Sequence, residues 1–308
     1  MPDTIKGLHH VTALASSAAR NNAFFTGTLG LPRVKKTVNF DAPDVYHLYY
    51  GDEAGTPGSV MTYFPFPHAR RGRAGSGEVS TTAFAVPEGT LDAWEARLGE
   101  AGVPGLERVN TFGENRLLFQ GPDGDGLALV EAEDDRTPWT GNGIGADTAL
   151  RGFHSVELRL RDTGPTADLL GLMGYQEECR QGNVTRFVLP AHNGAGTVDL
   201  AQVDAPQADQ GAGSVHHIAF AVDDRAAQLQ IRQALTEAGA QITPVIDRDY
   251  FWAIYFRSPG GVLFEIATNE PGFDRDEDLA HLGEALKLPQ QHAHLRADLE
   301  RRLEPLGD

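Results

Sequence analysis

"GSVHHIAFAV", residues 213–222, and "GEVSTTAFAV", residues 77–86, read as two versions of one β-strand. Each leads into a stretch with apolar residues at three- and four-residue spacing that ends in Ala-Gly, "AAQLQIRQALTEAGA" (226–240) and "TLDAWEARLGEAGV" (90–103), which is a helix with its stop signal. An aromatic or branched run follows, "FWAIYFR" (251–257) or "ENRLLFQ" (114–120). Then comes a turn rich in proline and glycine with a closing strand, "SPGGVLFEIAT" (258–268) or "GPDGDGLALVEA" (121–132). The order is the same in both places, so an internal repeat organises the chain. Two more divergent copies open with "GLHHVTALAS" (7–16) and "GFHSVELRL" (152–160), each followed by its own helical stretch.

The sequence therefore predicts an α+β fold of four βαβββ modules, near 5–68, 75–133, 150–205 and 211–270. They fall into an N-terminal half (1–137) and a C-terminal half (150–272), joined through the polar stretch "EDDRTPWTGNGIGADT" and followed by a polar helical tail (273–308). A single module leaves one apolar sheet face uncovered. Paired modules can curl around a shared cleft, which is where a ligand would sit.

The modules act as controls for one another. Aligning the opening strands sets His10 against Thr81, Ser155 and His217, so the strand itself does not require histidine there. Counting from the turn proline sets Glu265 against Ala128, with Asp199 at a roughly matching place in the third module. Strand alternation puts His217 with Ala219 and Ala221 on the cleft face, and His216 with Ile218 and Phe220 behind it; by the same parity His10 travels with Thr12, and His9 with Val11. A lone carboxylate in the apolar strand around Glu265 costs several kcal/mol unless it is paired or bound to metal. His10, His217 and Glu265 together make two histidines and one carboxylate, a set that suits Fe(II) while leaving positions open, and Mn(II) or Zn(II) on ligand type.

Composition narrows the partners. The 308 residues carry 26 basic and 43 acidic side chains, a formal charge of −17, which argues against nucleic acid or an anionic membrane surface. No apolar run is long enough to span a bilayer and the first residues lack a signal-peptide pattern, so the sequence predicts a cytoplasmic protein. With one cysteine, Cys179, a thiolate metal cluster is excluded.

At these residues the chain resembles the vicinal oxygen chelate superfamily, built from paired βαβββ modules, and within it the ring-cleaving extradiol dioxygenases of the hydroquinone-opening branch. The phrases "TGTLGLPRVKKTVNFD", "YHLYYGDEAGTPGS", "FPFP" and "NEPGF" carry that likeness along essentially the whole chain. The resemblance implies that modules one and four share the metal cleft, that iron is held by His10, His217 and Glu265, and that a small aromatic diol and O2 are the substrates. It also implies supporting roles for His9, Thr12, His216, Arg248 and Tyr255, with His216 and Tyr255 handling protons and Arg248 holding an anionic oxygen. A homo-oligomer is the family's expectation.

Three alternatives stay open at this stage. A glyoxalase- or epimerase-type enzyme would need a fourth ligand, and the repeat offers only Thr62 in "SVMTYF"; a non-catalytic binding module would not need the metal set; catechol in place of hydroquinone cleavage is not legible. A two-residue hairpin about Pro259 and Gly260 would set Tyr255 opposite Phe264, away from Glu265, unless a bulge at Gly260 or Gly261 intervenes. Arg248 in "IDRDY" is expected either at the site or paired with Asp247 or Asp249.

Overall fold

The computed structural model describes residues 4–307. The first module runs β1 (Leu8–Ala15), α1 (Ala18–Asn22, continued by a π-helical turn Ala23–Thr28), β2 (Arg33–Val38), β3 (Tyr46–Tyr50) and β4 (Val60–Pro65). The second runs β5 (Glu78–Val86), α2 (Leu91–Glu100), β6 (Glu107–Thr111), β7 (Glu114–Gln120) and β8 (Gly126–Glu131). The third has β9 (Phe153–Leu160), α3 (Gly164–Leu172), β10 (Gln176–Gln181), β11 (Val184–Val188) and β12 (Thr197–Gln202). The fourth has β13 (Val215–Val222), α4 (Arg225–Glu237), β14 (Ile246–Asp247), β15 (Phe251–Arg257) and β16 (Leu263–Pro271).

Two eight-stranded sheets result, ordered β14-β15-β16-β13-β1-β4-β3-β2 and β10-β11-β12-β9-β5-β8-β7-β6. Modules one and four thus share one sheet, and two and three the other, as the resemblance implied. In the first sheet β1 and β13 pair antiparallel with Val11 opposite Ile218, His10 opposite Ala219 and Thr12 opposite His217, so a pseudo-twofold axis relates the two modules. The connections between modules cross over each other, with bridges from Arg71 to Ala212, Arg73 to Asp209 and Ser76 to Gln207. The basic stretch "HARRGR", residues 68–73, lies in the first of these connections and is pinned there by the bridges of Arg71 and Arg73.

The central strands are bulged. One extra residue interrupts the β1–β13 register at His9 and another at His216; the second sheet has the same irregularity at Ser80 and His154, the matching positions. Bulges at these four points therefore belong to the fold, whichever residue occupies them. The opening glycines serve it too: Gly7 and Gly152 have φ of +117° and +119°, values an L side chain rarely adopts.

Helix α4 shows how sequence makes the outer layer. Asp224 caps it by accepting from the Ala227 N–H at 2.9 Å, and Gln228, Ile231 and Leu235 form its buried stripe. Buried Gln228 donates to the carbonyls of Trp252 and Ile266, which ties the helix to the sheet edge to edge. The tail is less helical than its composition suggested: three 3₁₀ turns and then α5 (Arg296–Arg302), with Glu304 reaching back to Ala18 N and Ser17 Oγ at the start of α1. No helix among the described residues is long and apolar enough to cross a membrane.

A buried carboxyl joins the two sheets. Asp125, in the turn before β8, accepts from Tyr63 Oη of β4 at 2.8 Å, and burial pushes its pKa up to about 6. A raised acid favours the folded state below its unfolded pKa, and that advantage is lost as pH rises through about 6. The gap from an unfolded value near 4 corresponds to about 3 kcal/mol at neutral pH. Asp125→Asn keeps an acceptor for Tyr63, so it should raise the denaturant midpoint at pH 7, with the gain vanishing near pH 4.

Candidate metal centre

His10 on β1, His217 on β13 and Glu265 on β16 converge. Their ligand atoms all lie within 4.8 Å of one another: Nε2 to Nε2 is 3.3 Å, and Glu265 Oε2 is 2.9 Å from His217 Nε2 and 3.4 Å from His10 Nε2. Glu265 is fully buried, yet neither of its oxygens receives a well-directed hydrogen bond. Three donor atoms aimed at one shared point, with a buried carboxylate unsatisfied by any N–H, fit a divalent cation and suit little else. Burial would raise the Glu265 pKa, but His10 and His217 beside it outweigh that and hold the carboxyl well below its usual range.

The bulges correct the expectation for the neighbouring histidines. Alternation put His216 and His9 behind the sheet; the extra residue in each strand instead turns both members of each pair toward one side. His216 Nδ1 lies 2.7 Å from His217 Nδ1, and His9 Nδ1 lies 2.9 Å from His10 Nδ1. Burial lowers the His9 pKa to about 3 and that of His216 to about 4, and it lowers His217 as well. These imidazoles are neutral at physiological pH, the form a metal ligand or its hydrogen-bond partner requires.

The bulge that Tyr255 requires is present at Gly261, which has φ of +91° and donates its N–H to Ser258 O. The connection from β15 to β16 spans Ser258 to Val262, closed by Ser258 N–H to Val262 O, which sets Tyr255 directly opposite Glu265. The loop closed by Ser258 and Val262 is one residue longer than a two-residue hairpin at Pro259 and Gly260, which shifts the register by one. Arg248 pairs with neither Asp247 nor Asp249: its Nε donates to Tyr255 Oη at 3.2 Å and its Nη1 lies 3.6 Å from Asp41 Oδ2. Burial, then Glu265, pushes the Tyr255 pKa well above 10, so its hydroxyl stays protonated.

These groups line a cavity of about 370 Å³ with Phe64, Phe66 and Phe251 among its walls. The loop from Asn39 to Ala42 closes one side, and Phe40 O accepts from Gln291 and His292 of the tail.

Sequence reasoning missed His47 and Tyr49. Both line the cavity from β3, and they belong to a buried chain: Tyr49 Oη to His47 Nδ1 at 2.8 Å, His47 Nε2 to Thr62 Oγ1 at 2.8 Å, Thr62 Oγ1 to Thr12 Oγ1 at 2.9 Å. Burial drives the His47 pKa well below its ordinary value. The signal was present in "YHLYY", where a histidine alternates with tyrosine in an apolar strand.

Among the described residues the second sheet has no such centre. Thr81, Ser155 and Ala128 stand at the places of His217, His10 and Glu265, and charge fills that cleft instead. Buried Arg186 binds Asp199 through two bonds of 2.8 and 2.9 Å and Glu114 at 2.7 Å, while Arg116 binds Glu114 at 2.6 Å and His154 lies 3.1 Å from Glu114. Asp199, the closing-strand carboxylate of module three, is thus consumed by arginines.

Comparison with known proteins agrees with this architecture. Residues 7–149 and 152–266 match the Glyoxalase/Bleomycin resistance protein/Dioxygenase superfamily. MhqO of Bacillus subtilis (strain 168), named as a proposed ring-cleaving dioxygenase, is 40% identical over 301 residues, 97% of this chain and 96% of that protein. A chlorohydroquinone/hydroquinone 1,2-dioxygenase of Sphingobium indicum is 34% identical over 314 residues, 98% of this chain and 97% of that protein. A crystal structure of a proposed dioxygenase from Bacillus subtilis subsp. subtilis str. 168 superimposes with a TM-score of 0.95 at 40% identity, covering 98% of this chain and 97% of that one. Glyoxalase I from Zea mays shares the fold at a TM-score of 0.65 and 14% identity, covering 86% of this chain and 92% of that one. With the repeat, the paired sheets and the relatives in agreement, the chain belongs to the Glyoxalase/Bleomycin resistance protein/Dioxygenase superfamily, where its near relatives bear the names of ring-cleaving dioxygenases.

Proposed function

We propose that the protein is an Fe(II)-dependent extradiol-type dioxygenase that opens the ring of a hydroquinone or related aromatic diol with O2. The observation that carries this reading is the convergence of His10, His217 and Glu265 on the wall of an aromatic-lined cavity of about 370 Å³, while Thr62, the one side chain placed to be a fourth ligand, is tied to Thr12 and His47. The similarity to a hydroquinone 1,2-dioxygenase supports the substrate class. Mn(II) and Zn(II) also suit the donor set, but Fe(II) is the ion whose redox chemistry ring cleavage uses; bound here, it would bring an aromatic oxygen and dioxygen to one centre.

The chain's own residues then have separable tasks. With Nε2 of His10 and His217 given to the metal, each ring keeps its proton on Nδ1 and donates it to the neighbouring Nδ1 of His9 or His216. His216 must then carry its own proton on Nε2, which has no protein partner among the described residues in a ring that lines the cavity. His216 and the protonated Tyr255 are therefore donors, suited to returning a proton during cleavage rather than to removing one from the phenol. The Arg248 guanidinium, beside Tyr255 Oη, can hold an anionic ring oxygen with charge-assisted hydrogen bonds.

The test is anaerobic reconstitution with Fe(II) followed by oxygen uptake on a panel of hydroquinones and catechols. Uptake with a hydroquinone is expected; one bound iron per chain and no uptake with any aromatic diol would sink the proposal. His216→Ala should keep its iron and slow turnover by roughly 10²–10⁴ with a smaller change in KM. Unchanged kcat would remove His216 from the proton path.

A further inference from the structure

The pseudo-twofold axis between modules one and four offers an internal comparison of the two sides of the site. Register sets Thr62 at the place of Glu265, since Tyr49 lies opposite Thr62 as Tyr255 lies opposite Glu265. Thr12 stands where module four has Ala219: each is two residues past its histidine and each neighbours the closing strand, Thr12 beside Thr62 and Ala219 beside Glu265. His47, two residues before Tyr49, stands where Ala253 precedes Tyr255. Module four therefore has alanine, glutamate and alanine where module one has threonine, threonine and histidine. The three replacements are not independent, because with Tyr49 they are the four members of one hydrogen-bonded chain.

All four are buried, and each internal contact is 2.8 or 2.9 Å. The His47 ring is packed between Phe64 and Tyr49, with centroid distances of 4.2 and 4.0 Å, so it cannot swing to release the threonine. Of the proton and two lone pairs of the Thr62 hydroxyl, two are taken up by His47 and Thr12 within this chain rather than aimed at the triad.

We infer that Thr12, Thr62, His47 and Tyr49 act as one unit that withholds the position pseudo-symmetric to Glu265 from the metal, with His47 as its positioning residue. The inference rests on the metal reading of the triad. It says what keeps one side of that centre open for exogenous ligands: an interlocked polar chain, so that placing a carboxylate at position 62 is not enough to close it.

Co(II) titrated anaerobically against a competing chelator, with its visible absorption as a second readout, tests this without turnover. Thr62→Glu alone should bind Co(II) within a few-fold of wild type, because His47 and Thr12 engage the new carboxylate. The triple variant Thr12→Ala/His47→Ala/Thr62→Glu, which copies module four onto module one, should bind on the order of tenfold tighter or more, with an altered spectrum. If the triple variant melts below the assay temperature, the double variant Thr62→Glu/His47→Ala carries the same contrast. The inference is overturned if Thr62→Glu alone tightens binding as much as the combined variant does, or if the combined variant binds as wild type does. Wild-type binding by His217→Ala in the same titration would instead overturn the metal reading itself.

Discussion

His217→Ala and Glu265→Ala should each abolish stoichiometric metal binding. Each removes one of three donor atoms that meet at a single point, and no other carboxylate or imidazole among the described residues joins that group. The loss should exceed the roughly 10–100-fold that follows removal of a supporting partner, which is the effect expected for His9→Ala. A readout independent of activity is thermal stability. Metal at about a thousand times its dissociation constant should stabilise the wild-type fold by about 4 kcal/mol, and neither ligand variant should respond. Retained metal in Glu265→Ala would refute the site, and complete loss in His9→Ala would mean that the wrong member of the first histidine pair had been assigned.

Asp199→Ala should do the opposite: keep the metal and weaken the fold. Asp199 is 1% exposed and shares Arg186 with Glu114, so its removal strands two buried guanidiniums on one carboxylate. Breaking a buried pair by deleting one partner costs about 3–5 kcal/mol, because the other charge stays desolvated. The loss should appear as a lower denaturant midpoint with unchanged metal stoichiometry. Asp199→Asn should cost less, since it keeps an acceptor for Arg186. Metal loss in Asp199→Ala at a temperature where the variant remains folded would mean that the second cleft supports the first in a way its geometry gives no reason to expect.

The difference between these two carboxylates illustrates how unevenly the sequence could be read. Both stand on closing strands of equivalent modules, and a count from the turn made them similar. What separates them is the neighbour across the strand: Tyr255 faces Glu265, while Arg186 faces Asp199. A cross-strand partner is a register fact, and register depends on the length of the turn. A two-residue hairpin at Pro259 and Gly260 would send Tyr255 to the wrong face; the bulge at Gly261, one of the two positions where the sequence allowed it, supplies the one residue that brings Tyr255 opposite Glu265.

The doubled histidines failed for a related reason. Alternation is a property of unbroken strands, and both His-His pairs sit on bulges that the second sheet repeats at Ser80 and His154. A bulge has no strong local signature, because the extra residue is defined by the strand opposite, which lies about 200 positions away.

Local information sufficed for the module plan, the helices and the convergent triad: hydrophobic period, helix stops and turn glycines are short-range signals, and comparing repeats exposed the three departures His10, His217 and Glu265. The pairing of modules one and four came from the family resemblance, and the sheet order then agreed with it. Long-range packing decided the rest. The rotation of His9 and His216 into the site, the Thr12–Thr62–His47–Tyr49 chain, and the tail's hold on Phe40 are contacts between segments distant in sequence. Each depends on which backbone lies beside which and in what register, and those distances exist only once the two sheets have formed.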